Sequence, residues 1–257
     1  MFIHNFDPVA LEIFSLKIRW YSLSYIFGIL IGWLYCKKIL IENKNLSKLL
    51  DDLITYLIIG IIIGGRLGFV LFYNFKYYLN NPIEIIMIWN GGMSFHGGLL
   101  GVIIATIIFS NKHNFNKFIF FDLIAASAPI GIFLGRISNF INSELYGRES
   151  DVFWSVIFPK VDYIARHPSQ IYEALLEGVI LFFIIFYLIK KNYLLKSGII
   201  SSVFLIFYSL FRFIIEFFRT PDEHIGFIFL NLTMGQAISI IFFCLGFYLL
   251  LIKKNAN

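Results

Sequence analysis

Apolar residues in this chain gather in long runs separated by short polar breaks. Seven runs, approximately 19–36, 53–74, 91–110, 118–135, 171–189, 198–217 and 234–252, are each close to the length needed to cross a bilayer. A hydrocarbon core of roughly 30 Å takes about 20 apolar residues in a helix. The pattern predicts an all-α integral membrane protein of about seven transmembrane helices. The widest gap, 136–170, mixes Gly147, Pro159, Pro168 and several charges, and is expected to fold as a small extracytoplasmic head on a single polytopic domain spanning 1–257.

The polar breaks alternate in character. Lys37, Lys38, Lys44 and Lys48 follow the first run, Lys112 and Lys117 the third, Lys190, Lys191 and Lys196 the fifth, and Lys253 and Lys254 the seventh. Positive loops stay on the cytoplasmic side, so the N-terminus is expected outside and the C-terminus in the cytoplasm. Arginine follows a different rule. Arg19, Arg66, Arg136, Arg148, Arg166, Arg212 and Arg219 all fall on the outer side or within the membrane. A planar guanidinium fork suits bidentate binding of phosphate or carboxylate, which points to an anionic head group. The competing account is structural pairing with Glu144, Glu149, Glu173 or Glu216.

Composition agrees with the pattern: 59% of residues are hydrophobic, 14% are charged, and the mean hydropathy is +0.80. The net charge of +5 is spread singly or in short groups between apolar runs, so nucleic acid is excluded in favour of a membrane surface. Cys36 and Cys244 sit far apart in apolar runs and read as small buried hydrophobes, not as a disulfide or a zinc site. Asp7 and Glu12, with no basic n-region, argue against a removable signal peptide.

The sixth run carries Tyr208, Arg212, Glu216 and Arg219 at i, i+4, i+8 and i+11, one polar stripe on a greasy helix. An ionised side chain at membrane depth costs at least about 2.5–3.5 kcal/mol, so the stripe should face other helices or a wet cavity. Gly60, Gly64 and Gly68 have small-xxx-small spacing and predict close helix packing. His96 enters the third run among glycines, where an acid–base role and a structural one are both open. The fourth run ends in the dense polar segment Gly135–Gly147, holding Arg136, Asn139, Asn142 and Glu144, while Tyr21 opens the first run and His167–Gln170 opens the fifth as a helix start. No HExxH, CxxC, paired-Asp or P-loop pattern occurs, so neither metal nor cofactor is expected.

Gly135–Gly147, together with Ile18–Tyr21, Gly64–Arg66, Phe95–Gly98, His167–Gln170 and Phe211–Glu216, resembles the bacterial prolipoprotein diacylglyceryl transferase family in sequence and order. The resemblance implies an enzyme of the bacterial inner membrane with phosphatidylglycerol and prolipoprotein signal peptides as substrates. It would move the diacylglyceryl group to a lipobox cysteine, form a thioether, and release glycerol 1-phosphate as the first step of lipoprotein maturation. It marks Arg136 and Arg212 as central, supported by His96, Tyr21, Asn139, Glu144 and Glu216, with Arg66, Tyr208 and Arg219 as further substrate-binding candidates. His96 is one choice for the base that takes the thiol proton. Tyr21, or a thiol pKa lowered by arginine, are rivals. A transporter or flippase for an anionic lipid or metabolite is the alternative function, which internal repeats would favour and none is seen.

Overall fold

The computed structural model describes residues 1–14, 16–221, 226, 228 and 231–256. In chain order the elements are β1 (Phe2–Ile3), β2 (Val9–Ile13), β3 (Leu16–Arg19), α1 (Trp20–Tyr35), α2 (Lys44–Phe72), α3 (Phe75–Asn80), α4 (Phe95–Lys112), α5 (Lys117–Asn142), β4 (Val156–Ile157), β5 (Ala165–Arg166), α6 (Ser169–Glu173), α7 (Leu181–Lys190), α8 (Ile199–Ile215) and α9 (Met234–Ala256). A π-helical stretch, Cys36–Leu40, prolongs α1, and another, Ala174–Ile180, joins α6 to α7. Among the described residues, six helices are long and apolar enough to cross a membrane: Trp20–Leu40, α2, α4, α5, Ser169–Lys190 and Met234–Lys254. The shorter apolar α8 brings the number to seven, as the run lengths predict.

Two boundaries differ from the expectation. Helix α4 starts at Phe95, not near 91, because Gly91 and Gly92 both have φ of +81° and Ser94 caps the helix by accepting from Gly97 N at 3.2 Å. Helix α5 runs on past 135 to Asn142, so Arg136 and Asn139 lie on it and not beyond it. Their polar groups find partners in neighbouring segments, which removes the need to leave the helix for water.

The chain divides into two compact units, Lys37–Phe121 on one hand and Met1–Cys36 with Asp122–Asn257 on the other. In the first, α2 packs on α4 through the predicted glycines. A Cβ on Gly60 would stand 2.6 Å from the Gly101 carbonyl, and one on Gly68 would stand 2.8 Å from the Gly97 Cα, distances that a side chain does not tolerate.

In the second unit, α1 lies close to α5, with Gly28 over Gly131 and Gly32 over Ser127, and the Ser138 hydroxyl donates to the Trp20 carbonyl at 3.2 Å. Asp122 on α5 caps α8, accepting from the backbone N–H of Gly198 at 2.5 Å and of Ser201 at 2.8 Å. Outside the helices, β1 pairs in parallel with β4, and β4 pairs antiparallel with β5. Cys36 is buried against the Leu123 carbonyl at 3.4 Å, whereas Cys244 is exposed on α9, so the expectation of burial holds for the first cysteine only. On a membrane helix an apolar-like thiol can face lipid without cost.

Candidate functional site

Arginines and glutamates from three segments meet in the second unit. Arg136 comes from α5, Glu173 and Glu177 from α6 and the π-helical stretch after it, and Arg212 from α8, with Glu216 and Arg219 just beyond its end. Arg136 Nε stands 3.1 Å from Glu173 and its Nη2 stands 3.2 Å from Glu177. Arg212 Nη1 bonds Glu173 and lies 3.7 Å from Glu177, while Nη2 is 2.7 Å from Glu216. Arg219 Nη1 is 3.3 Å from Glu173. Three cations and three carboxylates thus form one network in which Glu173 serves all three guanidiniums.

The network has a front and a back. Glu173 and Glu177 have no exposed side-chain surface, whereas Arg136 and Arg212 keep 17% and 14% of theirs. Fully buried carboxylates therefore hold two arginines whose side chains keep a small part of their surface accessible. Tyr208, one turn before Arg212, lies within electrostatic reach of Arg136, Arg212, Glu173 and Glu177.

The polar stripe expected along the sixth run is only partly helical. Helix α8 stops at Ile215, Glu216 N–H still donates to the Arg212 carbonyl at 3.1 Å, and the chain then turns. Arg219 reaches Glu173 because its backbone bridges Gly147, with Arg148 N donating to the Phe218 carbonyl at 2.8 Å. A Cβ on Gly147 would stand 2.8 Å from that same carbonyl, which is why only glycine fits there. Arg148 Nε in turn donates to the Arg219 carbonyl at 2.9 Å. On the other side, Glu216 accepts from the Thr233 hydroxyl at 2.8 Å, and Gly235 leaves room for its carboxylate.

Beyond Arg136 the polar segment turns back on itself. Asn139 and Asn142 direct their amides at the two oxygens of Glu144, at 3.2 and 3.3 Å, and the Glu144 carboxylate is exposed. Ser143 and Leu145, on either side of it, have φ of +60° and +57°, left-handed values that non-glycine residues adopt only when surroundings hold them. Those surroundings include the segment that opens α6: Ser169 Oγ donates to the Leu145 carbonyl at 2.9 Å and Gln170 Nε2 to the Glu144 carbonyl at 2.6 Å. The helix-start reading of His167–Gln170 holds, and two of its side chains also grip this turn. Tyr21 is half exposed, shares a hydrogen bond with Tyr25 at 3.1 Å, and lies within electrostatic reach of Glu144 and Arg136.

Two titratable groups outside the membrane helices are tuned by their neighbours. The Arg166 guanidinium, 2.6 Å from Asp162, holds that carboxyl below the usual carboxylate range. Burial pushes the His167 imidazole down, and its Nδ1 pairs with the Tyr172 hydroxyl at 3.1 Å.

His96 and Arg66 belong to the other unit. His96 is exposed at the first turn of α4, edge-on to Phe95 with 5.6 Å between ring centres. Arg66, expected among the substrate-binding residues, is 3% exposed and directs all three nitrogens at backbone carbonyls. These belong to Glu84, Ile85, Met87, Gly91 and Gly92, with Nε to Ile85 at 2.9 Å and Nη1 to Gly92 at 3.2 Å.

Glu177 is the member of the network that sequence reasoning missed. The signal was present: a glutamate four residues after Glu173, in an otherwise apolar run, costs several kcal/mol unless it meets a charge. The π-helical stretch around it, a feature concentrated at functional sites, is not legible in the sequence. Among the described residues no group of His, Cys, Asp and Glu has the arrangement of a metal site.

A family model described as prolipoprotein diacylglyceryl transferase matches residues 8–252. Among similar proteins, the phosphatidylglycerol–prolipoprotein diacylglyceryl transferase of Rickettsia bellii (strain OSU 85-389) is 52% identical over 250 residues, 96% of this chain and 95% of that protein. The protein of that name from Rickettsia felis is 53% identical over 249 residues, 96% of each chain. That from Rickettsia typhi is 51% identical over 253 residues, 97% of this chain and 98% of its own.

Proposed function

This chain belongs to the prolipoprotein diacylglyceryl transferase family, and on that premise we propose how its residues transfer a diacylglyceryl group from phosphatidylglycerol to a prolipoprotein. The observation that carries the reading is the network of Arg136 and Arg212, whose forks are held by fully buried Glu173 and Glu177 while part of each arginine side chain remains accessible.

In this reading the acceptor is the thiol of a lipobox cysteine. Its thiolate attacks the glycerol carbon that bears the phosphate ester; the C–S bond forms as the C–O bond breaks. Glycerol 1-phosphate leaves with the bonding electrons. Charge grows on the departing phosphate, and guanidiniums already held in place stabilise it without reorganising. Asn139, Asn142 and Glu144 present amides and a carboxylate suited to the hydroxyls of the lipid head group. Tyr208 and Arg219 complete the polar wall. Arg66 acts by shaping the loop that contains residues 84–92. Lysine placement supports an inner-membrane protein with its N-terminus outside and its C-terminus in the cytoplasm. A C-terminal reporter fusion is expected to be active only in the cytoplasm; activity only outside would reverse the assignment.

The direct test is to incubate purified protein with phosphatidylglycerol vesicles and a lipobox peptide and weigh the peptide. A mass gain of one diacylglyceryl group is expected. Unchanged peptide with intact protein overturns the reading, and passage of lipid or head group between vesicle leaflets without any mass gain would favour transport.

His96 is proposed as the base that accepts the thiol proton. A free thiol has a pKa of about 8.5, so raising the pH supplies thiolate without a base. His96→Gln is therefore expected to lose more activity at pH 6 than at pH 9. Equal losses at both would assign His96 a structural role and leave proton removal to Tyr21 or to stabilisation of the thiolate by arginine.

A further inference from the structure

Besides Ser169 and Gln170, the turn around Glu144 is held by a histidine that follows β1. His4 lies outside the stretch 8–252 matched by the family model, yet it is 1% exposed. Its backbone N–H donates to the Ile157 carbonyl at 2.9 Å, continuing the pairing of β1 with β4. Its ring sits among Phe6, Phe140 and Phe158, with centres 5.1, 5.0 and 5.2 Å away. In that apolar cage its Nδ1 stands 3.2 Å from the Ser143 hydroxyl. Ser143 is itself buried, with a left-handed φ of +60°, and is the residue between Asn142 and Glu144.

We propose that His4 is a positioning residue for the transfer reaction: its imidazole hydrogen-bonds the Ser143 hydroxyl and so fixes the turn that aims Asn139, Asn142 and Glu144 at the lipid head group. The inference rests on the reading above that those three residues face the head group. The chemistry needs histidine's combination of properties. A flat aromatic ring fills the phenylalanine cage, and a ring nitrogen shares a hydrogen bond with the Ser143 hydroxyl, which can donate or accept. Among the described residues the charged group bearing on it is Lys160, after β4, whose ammonium donates to the Phe6 carbonyl at 2.9 Å. Burial and this cation both oppose a proton on His4, while the Phe140 carbonyl favours one. The net effect is to keep the ring neutral further into the acid range than a free histidine.

The test compares His4→Phe, His4→Asn and Ser143→Ala in the peptide-mass assay, as full-length protein in phosphatidylglycerol vesicles. His4→Phe fills the cage without an acceptor. It is expected to raise KM for phosphatidylglycerol about tenfold, the order expected for losing one buried hydrogen bond, with kcat within about twofold. His4→Asn, whose side-chain oxygen can accept from Ser143, should recover most of the lost KM. Ser143→Ala removes the hydroxyl and leaves the cage intact, so it carries the same expectation if the Phe variant fails to insert. Wild-type KM in Ser143→Ala or in a folded His4→Phe, or no recovery with His4→Asn, would overturn the role of His4. Wild-type protein that adds no mass to the peptide would instead overturn the transfer reading on which the role depends.

Discussion

Arg212→Lys and Arg136→Lys are each expected to lower transfer by about a hundredfold to a thousandfold, the usual consequence of removing one well-placed donor to a developing anion, roughly 2.7–4 kcal/mol. The charge survives in both variants; the fork does not. Arg212 spreads its Nη1 and Nη2 over Glu173, Glu177 and Glu216, and Arg136 divides Nε and Nη2 between Glu173 and Glu177. A lysine ammonium is a single point of charge that one of these carboxylates can capture, leaving nothing aimed at the phosphate. Activity and thermal melting must be read together. Glu216→Gln, which removes one partner of Arg212 at the edge of the network, should lower the melting temperature more than it lowers turnover. Near-normal transfer by well-folded Arg136→Lys and Arg212→Lys proteins would exclude a bidentate role and leave only a general electrostatic one.

Glu173→Gln is expected to be the most destabilising single change in the site. Glu173 is fully buried and touches all three arginines, at 3.1 Å from Arg136 and 3.3 Å from Arg219 besides its bond to Arg212. Without it, three guanidiniums share Glu177 and Glu216. Breaking a buried charge pair costs about 3–5 kcal/mol because the abandoned charge has no water to turn to. For a chain of this size that corresponds to a fall in melting temperature on the order of 10 °C. Glu144→Gln provides the contrast: its residue is exposed and, among the described residues, its carboxylate is bonded by two amides, so melting should change little while KM for phosphatidylglycerol changes. Equal melting temperatures for Glu173→Gln and wild type would show that the network is looser than its geometry.

The membrane helices were legible because run length is a direct count against bilayer thickness, and the close packing of α2 on α4 was legible because glycine at every fourth position leaves one bare helix face. Arg212 could be singled out on the same grounds, as a charge too costly at that depth to be idle. Helix ends were less legible. The extension of α5 to Asn142 and the end of α8 at Ile215 depend on which neighbouring groups satisfy the freed polar atoms, and those neighbours are distant in sequence.

By itself, the sequence determines that this chain lives in a membrane, which residues are polar in the apolar runs, and through its motifs which family it belongs to. All three are properties of residue identity and spacing along one chain. Tertiary structure alone decides how those polar residues are used. Glu173, one of four glutamates that the sequence offers as arginine partners, becomes the shared counter-charge of three arginines; Arg66, read as a ligand for an anion, is held by loop carbonyls; and His4, unremarked in sequence, reaches Ser143 across 139 residues of chain. The physical reason is that a guanidinium, a carboxylate or an imidazole binds whatever complementary group stands within about 3 Å, and for residues far apart in sequence that neighbour is set by the packing of helices and strands.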